Sequence, residues 1–418
     1  MTDTAPVRTA ATAQRSQIPL LLGAVFLTYL AQMTLNPIIA PLSREVGLAE
    51  WQIGVTISIA ATMIVLTSQF WGRRSQSWGR KPVLVLALAL AVLAMGMFAL
   101  TAWAGMSGLL TGTVLFLLFV LLRGIVFGAA LAAVPPTAQA YIADVTEDGQ
   151  ARVKGMAGVG AVQGVAMIAG SVVGGVLSAF GLLTPLAVVP VLLIAALVVV
   201  AFRLRTQEAS ELISTPTRMS PLDTRVWPFL VAGFGMFTAL GFIQVITGFV
   251  VQDRLGLSSA QTGLVTGAAL LAAGIGMVVA QTLIVPRTGW TPPTLLRIGG
   301  LTALVGFVLL TIDLGAWSLF TAILLIGLGL GTAMPGYTAG PTLLVDRDEQ
   351  GSLAGLIGAT IGLTFVVAPM LGTALYSLHR VLPIVIGAVV MAFVTLFVWV
   401  YPRFRTAARA SAPASAPE

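Results

Sequence analysis

The chain has 418 residues, of which 57% are hydrophobic and 9% charged, with a mean hydropathy of +0.99. So few charges cannot cover a soluble surface, and the composition therefore excludes an ordinary soluble domain and indicates a membrane protein. The net charge of +7 at pH 7 does not indicate nucleic-acid binding, because the cations lie between apolar runs rather than on one contiguous face.

The composition also argues against an enzyme. The chain has no cysteine and a single histidine, His379. Thiolate chemistry, histidine metal clusters and Ser–His–Asp triads therefore lack their residues, and we expect no metal, no cofactor and no enzyme activity. We expect His379 to lie solvated in an outer turn beside Arg380.

The apolar runs predict an all-α polytopic membrane protein. The polar tail 1–17 precedes a run too long for a signal peptide, so we expect that run to be retained as the first span. About 20 apolar residues cross a bilayer as a helix. Runs of this kind predict twelve transmembrane helices, at residues 18–41, 52–71, 82–103, 109–141, 153–178, 182–203, 227–251, 260–285, 292–312, 316–341, 351–377 and 381–402.

The cations predict the orientation of these helices. With the N-terminus inside, eighteen of the 22 Lys and Arg residues lie on the inner side. Arg44, Arg254 and Arg380 lie outside, and Arg123 lies within a span. This bias follows the positive-inside rule, so we expect both termini to be cytoplasmic and the protein to lie in a plasma membrane, as in the bacterial inner membrane.

One long polar segment, 204–226, divides the helices into two groups of six. It predicts two pseudo-symmetric bundles, 18–203 and 227–402, joined by a cytoplasmic linker at 204–226, with a second cytoplasmic tail at 403–418. The halves echo each other: EVGLAEWQIG at 45–54 resembles RLGLSSAQTG at 254–263. Parallel six-helix repeats are typical of a large class of secondary transporters, in which the binding site lies between the halves.

Arg123 is the one charge placed well inside a predicted span. Left unpaired in lipid it would cost at least about 2.5 kcal/mol, so we expect it to face the protein interior. It belongs either to a substrate pathway or to a structural contact with backbone carbonyls. No Asp or Glu shares its depth, so coupling uses a carboxylate at a helix end or the substrate itself supplies the anion. We favour the second alternative, because an arginine fork suits a carboxylate or phosphate.

Polar side chains in three predicted helices form the rest of the candidate pathway. Tyr29, Gln32 and Asn36 follow helical spacing on one face of the first helix, and Gln163 and Gln244 lie in the fifth and seventh. Polar groups avoid lipid, so these side chains line a cavity or form hydrogen bonds between helices.

The stretch WGRRSQSWGRK at 71–81 places four cations, without an acid, between the second and third helices. It resembles the G-x-x-x-D-R-x-G-R-K pattern of the major facilitator superfamily, in the drug:proton antiporter branch of twelve-helix transporters. The matching positions are Gly72, Arg73, Gly79, Arg80 and Lys81, and Gln76 stands where the family has Asp.

The resemblance implies a cytoplasmic gate at this turn. AYIADVTEDGQARVKGMAG at 140–158 resembles the family's junction of helices 4 and 5, with Asp144 and Arg152 matching. In the family such an acid pairs with a cation of the loop, here Arg73 or Arg80, and holds the inward side closed. The neutral Gln76 predicts a weaker latch that depends more on Asp144.

Two further stretches carry the resemblance. LLRGIVFGAA at 121–130 is similar to the family's embedded Arg followed by Gly-rich sequence. GAVQGVAMIAGSVVGG at 160–175 resembles the antiporter signature that ends Gly-Pro-x-x-Gly-Gly. Its small residues predict close packing of a neighbouring helix, which in the family seals the outer side; they are Gly164, Gly170, Ser171, Gly174 and Gly175.

The resemblance implies a secondary active transporter that exports a small organic molecule by proton antiport with alternating access. The molecule is a drug, a metabolite or a chelator-like compound, with an anionic group favoured by Arg123. Its expected partners are this substrate, protons and the lipid bilayer, with no nucleic acid, and we expect a monomer. A facilitator or importer of an anionic or sugar-like solute is the first alternative, and a non-transporting receptor or scaffold is the second.

Overall fold

A computed structural model describes residues 17–145, 149–204, 219–345 and 349–404. It describes no side chains at positions 69, 73, 76, 143–145, 149–157, 160, 350–352 and 354. Within the described ranges the chain forms helices and contains no strand. Eleven helices there are long and apolar enough to cross a membrane, and a bent helix pair makes the number up to twelve. The predicted all-α polytopic fold is thus confirmed.

We number these helices α1 to α12 in chain order. Their bounds are α1 Ile18–Thr34 with its continuation Ile39–Glu45; α2 Glu50–Ser77; α3 Arg80–Met106; α4 Gly112–Phe119, Val120–Val126, Phe127–Leu131 and Val134–Val145; α5 Gly149–Ser178; α6 Leu183–Val198 and Val199–Arg203; α7 Trp227–Leu255; α8 Ser259–Val279, Ala280–Ile284 and Val285–Thr288; α9 Pro292–Thr311; α10 Ala316–Ala339; α11 Gln350–Leu378; and α12 Leu382–Val400.

The first predicted helix is two helices. The segments of α1 meet at a 45° bend across residues 35–38. Pro37 causes the break, because it has no N–H to bond the preceding turn and its ring disfavours helical geometry in the residue before it. The backbone tightens here instead, and the Asn36 N–H bonds the carbonyl of Met33 at 3.1 Å. The prediction of one continuous helix over 18–41 was wrong at this point.

Helix α4 is irregular along its length. A π-helical segment, Val120–Val126, follows its first two turns, and a second irregularity separates Leu131 from Val134. Pro135 and Pro136 follow that second break, and they lack the N–H groups that a continuous helix would use there. Arg123 therefore lies on the π-helical turn rather than on regular α-helix.

The chain packs as two units. Of the described residues, the first unit contains those within 17–48, 55–204 and 259–267, and the second contains those within 49–54, 219–258 and 268–404. The start of α8 therefore packs with the first unit, and the start of α2 packs with the second.

The ends of three helices meet in the first unit around Gln17. The Tyr141 hydroxyl of α4 donates to Gln17 Oε1 at 3.0 Å, and Gln17 Nε2 donates to the carbonyl of Arg203, at the end of α6, at 3.3 Å. An apolar core of α1, α3, α4, α5 and α6 surrounds Tyr141, which is fully buried. These contacts connect the start of α1 with the ends of α4 and α6.

Glycines of α4 let α2 pack closely against it. A Cβ at Gly124 would lie 3.1 Å from the carbonyl oxygen of Thr56, and one at Gly128 would lie 2.7 Å from that of Ala60. Trp71 Nε1 of α2 also donates to the carbonyl of Ala129 at 2.7 Å. The turn of α4 that bears Arg123 is therefore held tightly against α2.

The small residues of α5 divide between two neighbours. Gly170 and Gly174 face α1, where a Cβ at Gly170 would lie 3.0 Å from the Leu30 carbonyl oxygen. Gly175 faces the start of α8, and a Cβ there would lie 3.0 Å from Gly267 Cα. A Cβ at Gly164 would meet no heavy atom within 4 Å, so Gly164 takes no part in either crossing.

Arginines cap helix ends in the second unit. Arg254 Nη2 donates to the carbonyl of Leu310, near the end of α9, at 2.7 Å. Arg297 donates to the carbonyl of Val398, near the end of α12, at 3.3 Å and lies over the Trp399 ring. Such caps satisfy the last carbonyls of a helix, which lack partners within it.

We expect Gly174→Ala to destabilise the protein by about 1–3 kcal/mol, because overpacking a tight helix crossing has about this cost. The new Cβ would overlap the carbonyl oxygen of Thr34. The melting temperature of the purified protein in detergent should fall by a few degrees. Gly164→Ala is the matched control on the same helix, and it should leave the melting temperature unchanged or slightly higher. Equal losses in both variants would contradict the packing role of Gly174.

Candidate functional site

Arg123 is the centre of the candidate site. Its side chain is buried, with 6% of its surface exposed, and its guanidinium lies over the Phe127 ring at 4.9 Å from the centroid. The Nε–H is enclosed and has no acceptor among the described residues. Burying a charged donor without an acceptor is costly. The Nε–H of Arg123 is therefore available to an acceptor from outside the described chain.

The π-helical turn explains how α4 presents this arginine. A π turn bonds each N–H to the carbonyl five residues earlier, so it widens the helix and changes the direction of its side chains. Such turns are rare and occur often at functional sites. Gly124 lies beside Arg123 in the turn and packs on α2, which fixes the backbone position of the arginine.

The polar residues of α1 keep only part of their predicted arrangement. Tyr29 and Gln32 lie on the first helical segment and are half-buried, whereas Asn36 lies in the bend beyond its end. The prediction that all three share one helical face was therefore wrong for Asn36. Its Nδ2 donates to Met33 Sδ at 3.2 Å, while Gln32 Oε1 is buried without a donor among the described residues.

The structure does not join Arg123 directly to the other polar candidates of the first unit. Within the described part of the chain, Arg123 forms no hydrogen bond with Tyr29, Gln32 or Gln163. Gln163 is half-buried in α5. Arg123 and Gln32 thus remain two separate groups with unused hydrogen-bonding atoms.

The second unit contains an apolar pocket of its own. It has a cavity of about 10 Å³ between α7, α8 and α10. Its lining is rich in methionine, a flexible side chain that adapts to irregular apolar shapes; the residues are Met236, Phe237, Leu240, Met277, Leu330 and Met334. Gln244 is half-buried on α7, two turns from Phe237, and does not line the pocket.

The turn between α2 and α3 contains several of the predicted gate residues. Gly79 has a φ of 90°, a left-handed conformation that favours glycine, and α3 begins directly after it. Arg80 is turned inward, with 8% of its surface exposed, and its Nη1 donates to Ser75 Oγ at 2.6 Å. Gly72 and Lys81 are half-buried nearby.

The acid and three other residues of the predicted acid–cation latch lie outside the described side chains, so the structure does not test it. These residues are Arg73, Gln76, Asp144 and Arg152.

Sequence reasoning missed Ser75, which stands next to the altered Gln76. Ser75 is buried, with 1% of its surface exposed, and its hydroxyl accepts from Arg80. A serine inside a charged stretch carries no pattern that distinguishes it from the exposed Ser77 two residues later, so the sequence offered no signal for this contact.

Two ionic clusters near helix ends were also missed in the second unit. Asp253 Oδ2, on the last turn of α7, accepts from the Tyr376 hydroxyl at 2.7 Å and pairs with Arg380 at 3.3 Å. Its side chain is only 12% exposed. Nothing in the sequence indicated these partners of Asp253, which lie more than a hundred residues away.

The other cluster joins the chain before α7 to the chain before α11. Arg225 bonds Glu349 Oε1 at 2.8 Å and Oε2 at 3.0 Å, and it bonds Asp223 Oδ2 at 2.8 Å. Hydrogen bonds from Arg225 hold the pKa of Asp223 below its usual value. Hydrogen bonds to Asp223 and Glu349 raise the pKa of Arg225. This cluster lies outside the spans and holds the segment before α7 against the segment before α11.

Metal binding has no support in the described part of the chain. No group of three or more His, Asp or Glu side chains there is arranged to hold a metal ion. The unused hydrogen-bonding atoms of Arg123 and Gln32 offer hydrogen bonds to a bound molecule, and Arg123 also offers a charge.

The sequence matches one family model and is similar to several bacterial resistance proteins. The model of the Major Facilitator Superfamily matches residues 21–362. The class C tetracycline resistance protein of Escherichia coli is 28% identical over 377 residues, which cover 85% of this chain and 89% of that protein. The class G tetracycline resistance protein of Vibrio anguillarum is 28% identical over 361 residues, 82% of this chain and 85% of that protein.

The fold is also similar to solved structures. The crystal structure of a bacterial homolog of the human lysosomal transporter Spinster, in an inward-facing and occupied conformation, has a TM-score of 0.76 with this chain at 12% identity. The match covers 99% of this chain and all of that one.

We expect Ser75→Ala to lower the melting temperature by several degrees. The substitution removes the acceptor of a buried guanidinium N–H, and an unsatisfied buried donor costs about 1–3 kcal/mol. Ser77→Ala is the control, since Ser77 is exposed and bonds only the Arg74 carbonyl of its own helix, at 3.3 Å. Ser77→Ala should change the melting temperature by less than a degree. A similar effect of both substitutions would show that the Arg80 contact does not stabilise the turn.

Proposed function

Because this chain belongs to the major facilitator superfamily, we propose that it exports a small organic molecule across the membrane in exchange for protons, by alternating access. Its membership makes it a multi-pass membrane transporter rather than an enzyme. The finer parts of the proposal are the direction of transport, the proton coupling and the chemical class of the cargo.

The relatives support export by antiport. Proteins that confer tetracycline resistance match this chain over more than four fifths of its length. The bacterial origin of these relatives supports a place in the bacterial inner membrane, and the excess of inner cations supports cytoplasmic termini. We propose a drug, a metabolite or a chelator-like compound as cargo and a monomer as the working form.

Arg123 is the observation that carries the choice of cargo. It is a buried cation whose Nε–H lacks an acceptor within the described part of the chain. A carboxylate or phosphate of the cargo would supply the acceptor and offset the buried charge. We therefore propose a cargo with an anionic group that binds Arg123, with Gln32 as a second, separate polar candidate of the same unit.

Proton coupling must work without an acid deep in a span. Every Asp and Glu of the described part of the chain lies at a helix end or between helices. The favoured alternative is that the anionic substrate itself supplies the missing charge. The other alternative is that a carboxylate at a helix end takes up the proton. Asp253 fits this role, because it is the least exposed acid of the ionic clusters and bonds residues at the end of a second helix.

One experiment separates the proposed function from its alternatives. Proteoliposomes that contain the protein and a pH-sensitive dye are given a pH gradient, and candidate compounds are added. Proton movement that accompanies transport supports antiport, whereas transport indifferent to the gradient supports a facilitator or importer. Absence of both across a broad panel of compounds would favour the receptor or scaffold.

We expect Arg123→Ala to reduce transport of an anionic substrate about 10- to 100-fold at subsaturating concentration. Loss of charge-assisted hydrogen bonds, at about 1.5–3 kcal/mol, gives this factor. Arg123→Lys should reduce transport less, because it keeps the charge but loses the planar fork. Initial rates of uptake into inverted vesicles measure the effect.

The control for Arg123→Ala is Arg287→Ala, which removes an exposed arginine near the end of α8. It should leave transport unchanged. Undiminished transport of both anionic and cationic substrates by the Arg123→Ala protein would contradict the role of Arg123 in recognition, even where the dye experiment shows antiport.

A further inference from the structure

Arg74 lies between two aromatic rings on the last turn of α2, shortly before α3 begins. Its guanidinium is 5.4 Å from the centre of the Phe70 ring and 4.9 Å from that of Trp78. Phe70 and Arg74 lie four residues apart on one face of α2. Trp78 follows the last residue of the helix, and its N–H bonds the carbonyl of Arg74 at 2.8 Å. Rings that contact the faces of a guanidinium hold it in place, and they leave the N–H groups in its plane available as donors.

This face is exposed along its length. Phe70 has 47% of its surface exposed and Trp78 has 49%, and Leu66, one turn earlier, has 67%. The apolar span of α2 ends at Gly72, so Leu66 and Phe70 lie within it and Arg74 lies just beyond. Exposed apolar side chains in a span are accessible to lipid acyl chains, and tryptophan and arginine just beyond the end of a span are typical of the headgroup level.

No described side chain compensates the charge of Arg74. Within the described part of the chain it has no ion pair and no hydrogen bond from its guanidinium; its contacts are the two rings. The sequence contains no Asp or Glu between Glu50 and Asp144, so α2 and α3 carry no acid near this turn. Arg80 is turned inward to Ser75 and does not share the surface.

We propose that the face formed by Leu66, Phe70, Arg74 and Trp78 is a binding site for an anionic phospholipid. The phosphate binds the guanidinium of Arg74, with the half-buried Lys81 as a second cation close in sequence. The acyl chains lie along Phe70 and Leu66. An apolar strip that continues directly from the cation fits a lipid, which joins an anion to long chains, better than a free anion or a nucleic acid. The proposal is independent of the transported cargo.

Arg74 also lies outside the residues that match the family pattern at this turn, namely Gly72, Arg73, Gly79, Arg80 and Lys81. The arrangement of one arginine between two rings is therefore a property of this chain's own sequence rather than part of the resemblance stated above.

The test measures lipid selectivity by native mass spectrometry of the full chain in detergent. The protein is titrated with phosphatidylglycerol or with phosphatidylcholine of identical acyl chains. We expect the native protein to prefer phosphatidylglycerol and Arg74→Gln to bind it about fivefold more weakly, the factor that about 1 kcal/mol per cation at an anionic surface gives. Binding of phosphatidylcholine should weaken less, because its choline cation already offsets the phosphate charge that Arg74 would attract.

Arg287→Gln is the matched control. Arg287 is an exposed arginine near the end of another apolar span, and no ring contact of its guanidinium occurs among the described residues. It should retain the native preference. Equal loss in Arg74→Gln and Arg287→Gln would show a general surface-charge effect and overturn the site.

Two further variants keep the test decisive. Arg74→Lys keeps the charge, and Phe70→Leu with Trp78→Leu keeps the arginine but removes the rings; both should show a smaller loss than Arg74→Gln. If Arg74→Gln fails to fold, judged by its melting temperature, these two variants decide the question, and native affinity in both would overturn the proposal. Full displacement of the lipid by inorganic phosphate would show a free-anion site and overturn it as well.

Discussion

Lipid offers no hydrogen-bond partners, so each polar group of a span must be satisfied within the protein or face a polar cavity. Many hydroxyls follow this constraint by bonding a carbonyl one turn earlier, as Thr28 does with Ala24 at 2.8 Å. The buried hydroxyls of Thr137, Thr238 and Thr266 have no partner among the described residues. Arginines at helix ends follow it by capping carbonyls, as Arg297 does with Val398. Arg123 departs from it, because its Nε–H is enclosed without an acceptor in the described chain. A departure by the one embedded charge is more informative than the many groups that comply.

Close helix packing gives this departure its position. Glycines pack without side chains, so van der Waals contact between backbones holds helices together where lipid removes the hydrophobic driving force. Gly124 and Gly128 hold α4 on α2 on either side of the turn that follows Arg123. Gly170 and Gly174 hold α5 on α1, the helix that carries Gln32. The polar groups with unused atoms thus sit on helices whose backbones have little freedom to move aside.

Hydrophobic runs predicted the number and approximate bounds of the helices, because a bilayer requires one long apolar segment for each crossing. The same runs could not predict the bend at Pro37 or the π turn of α4, since hydropathy does not report which backbone hydrogen bonds form. The embedded charge of Arg123 was visible in the sequence. The contact of Ser75 with Arg80, and the difference between Gly164 and Gly174, depend on which neighbour faces each position, and a single sequence does not contain that information.

The charge of the cargo bears on the direction of transport. If a singly charged anion leaves while one proton enters, two charges move in the direction that an inside-negative potential favours. Each charge that crosses gains about 2.3 kcal/mol for each 100 mV, so a membrane potential of about 100 mV contributes about 4.6 kcal/mol to such a cycle. Import of the same anion without a proton would work against the potential by about 2.3 kcal/mol. The proposed recognition of an anion by Arg123 and the proposed export in exchange for protons are therefore energetically consistent, and no acid deep in a span is needed to make such an exchange favourable.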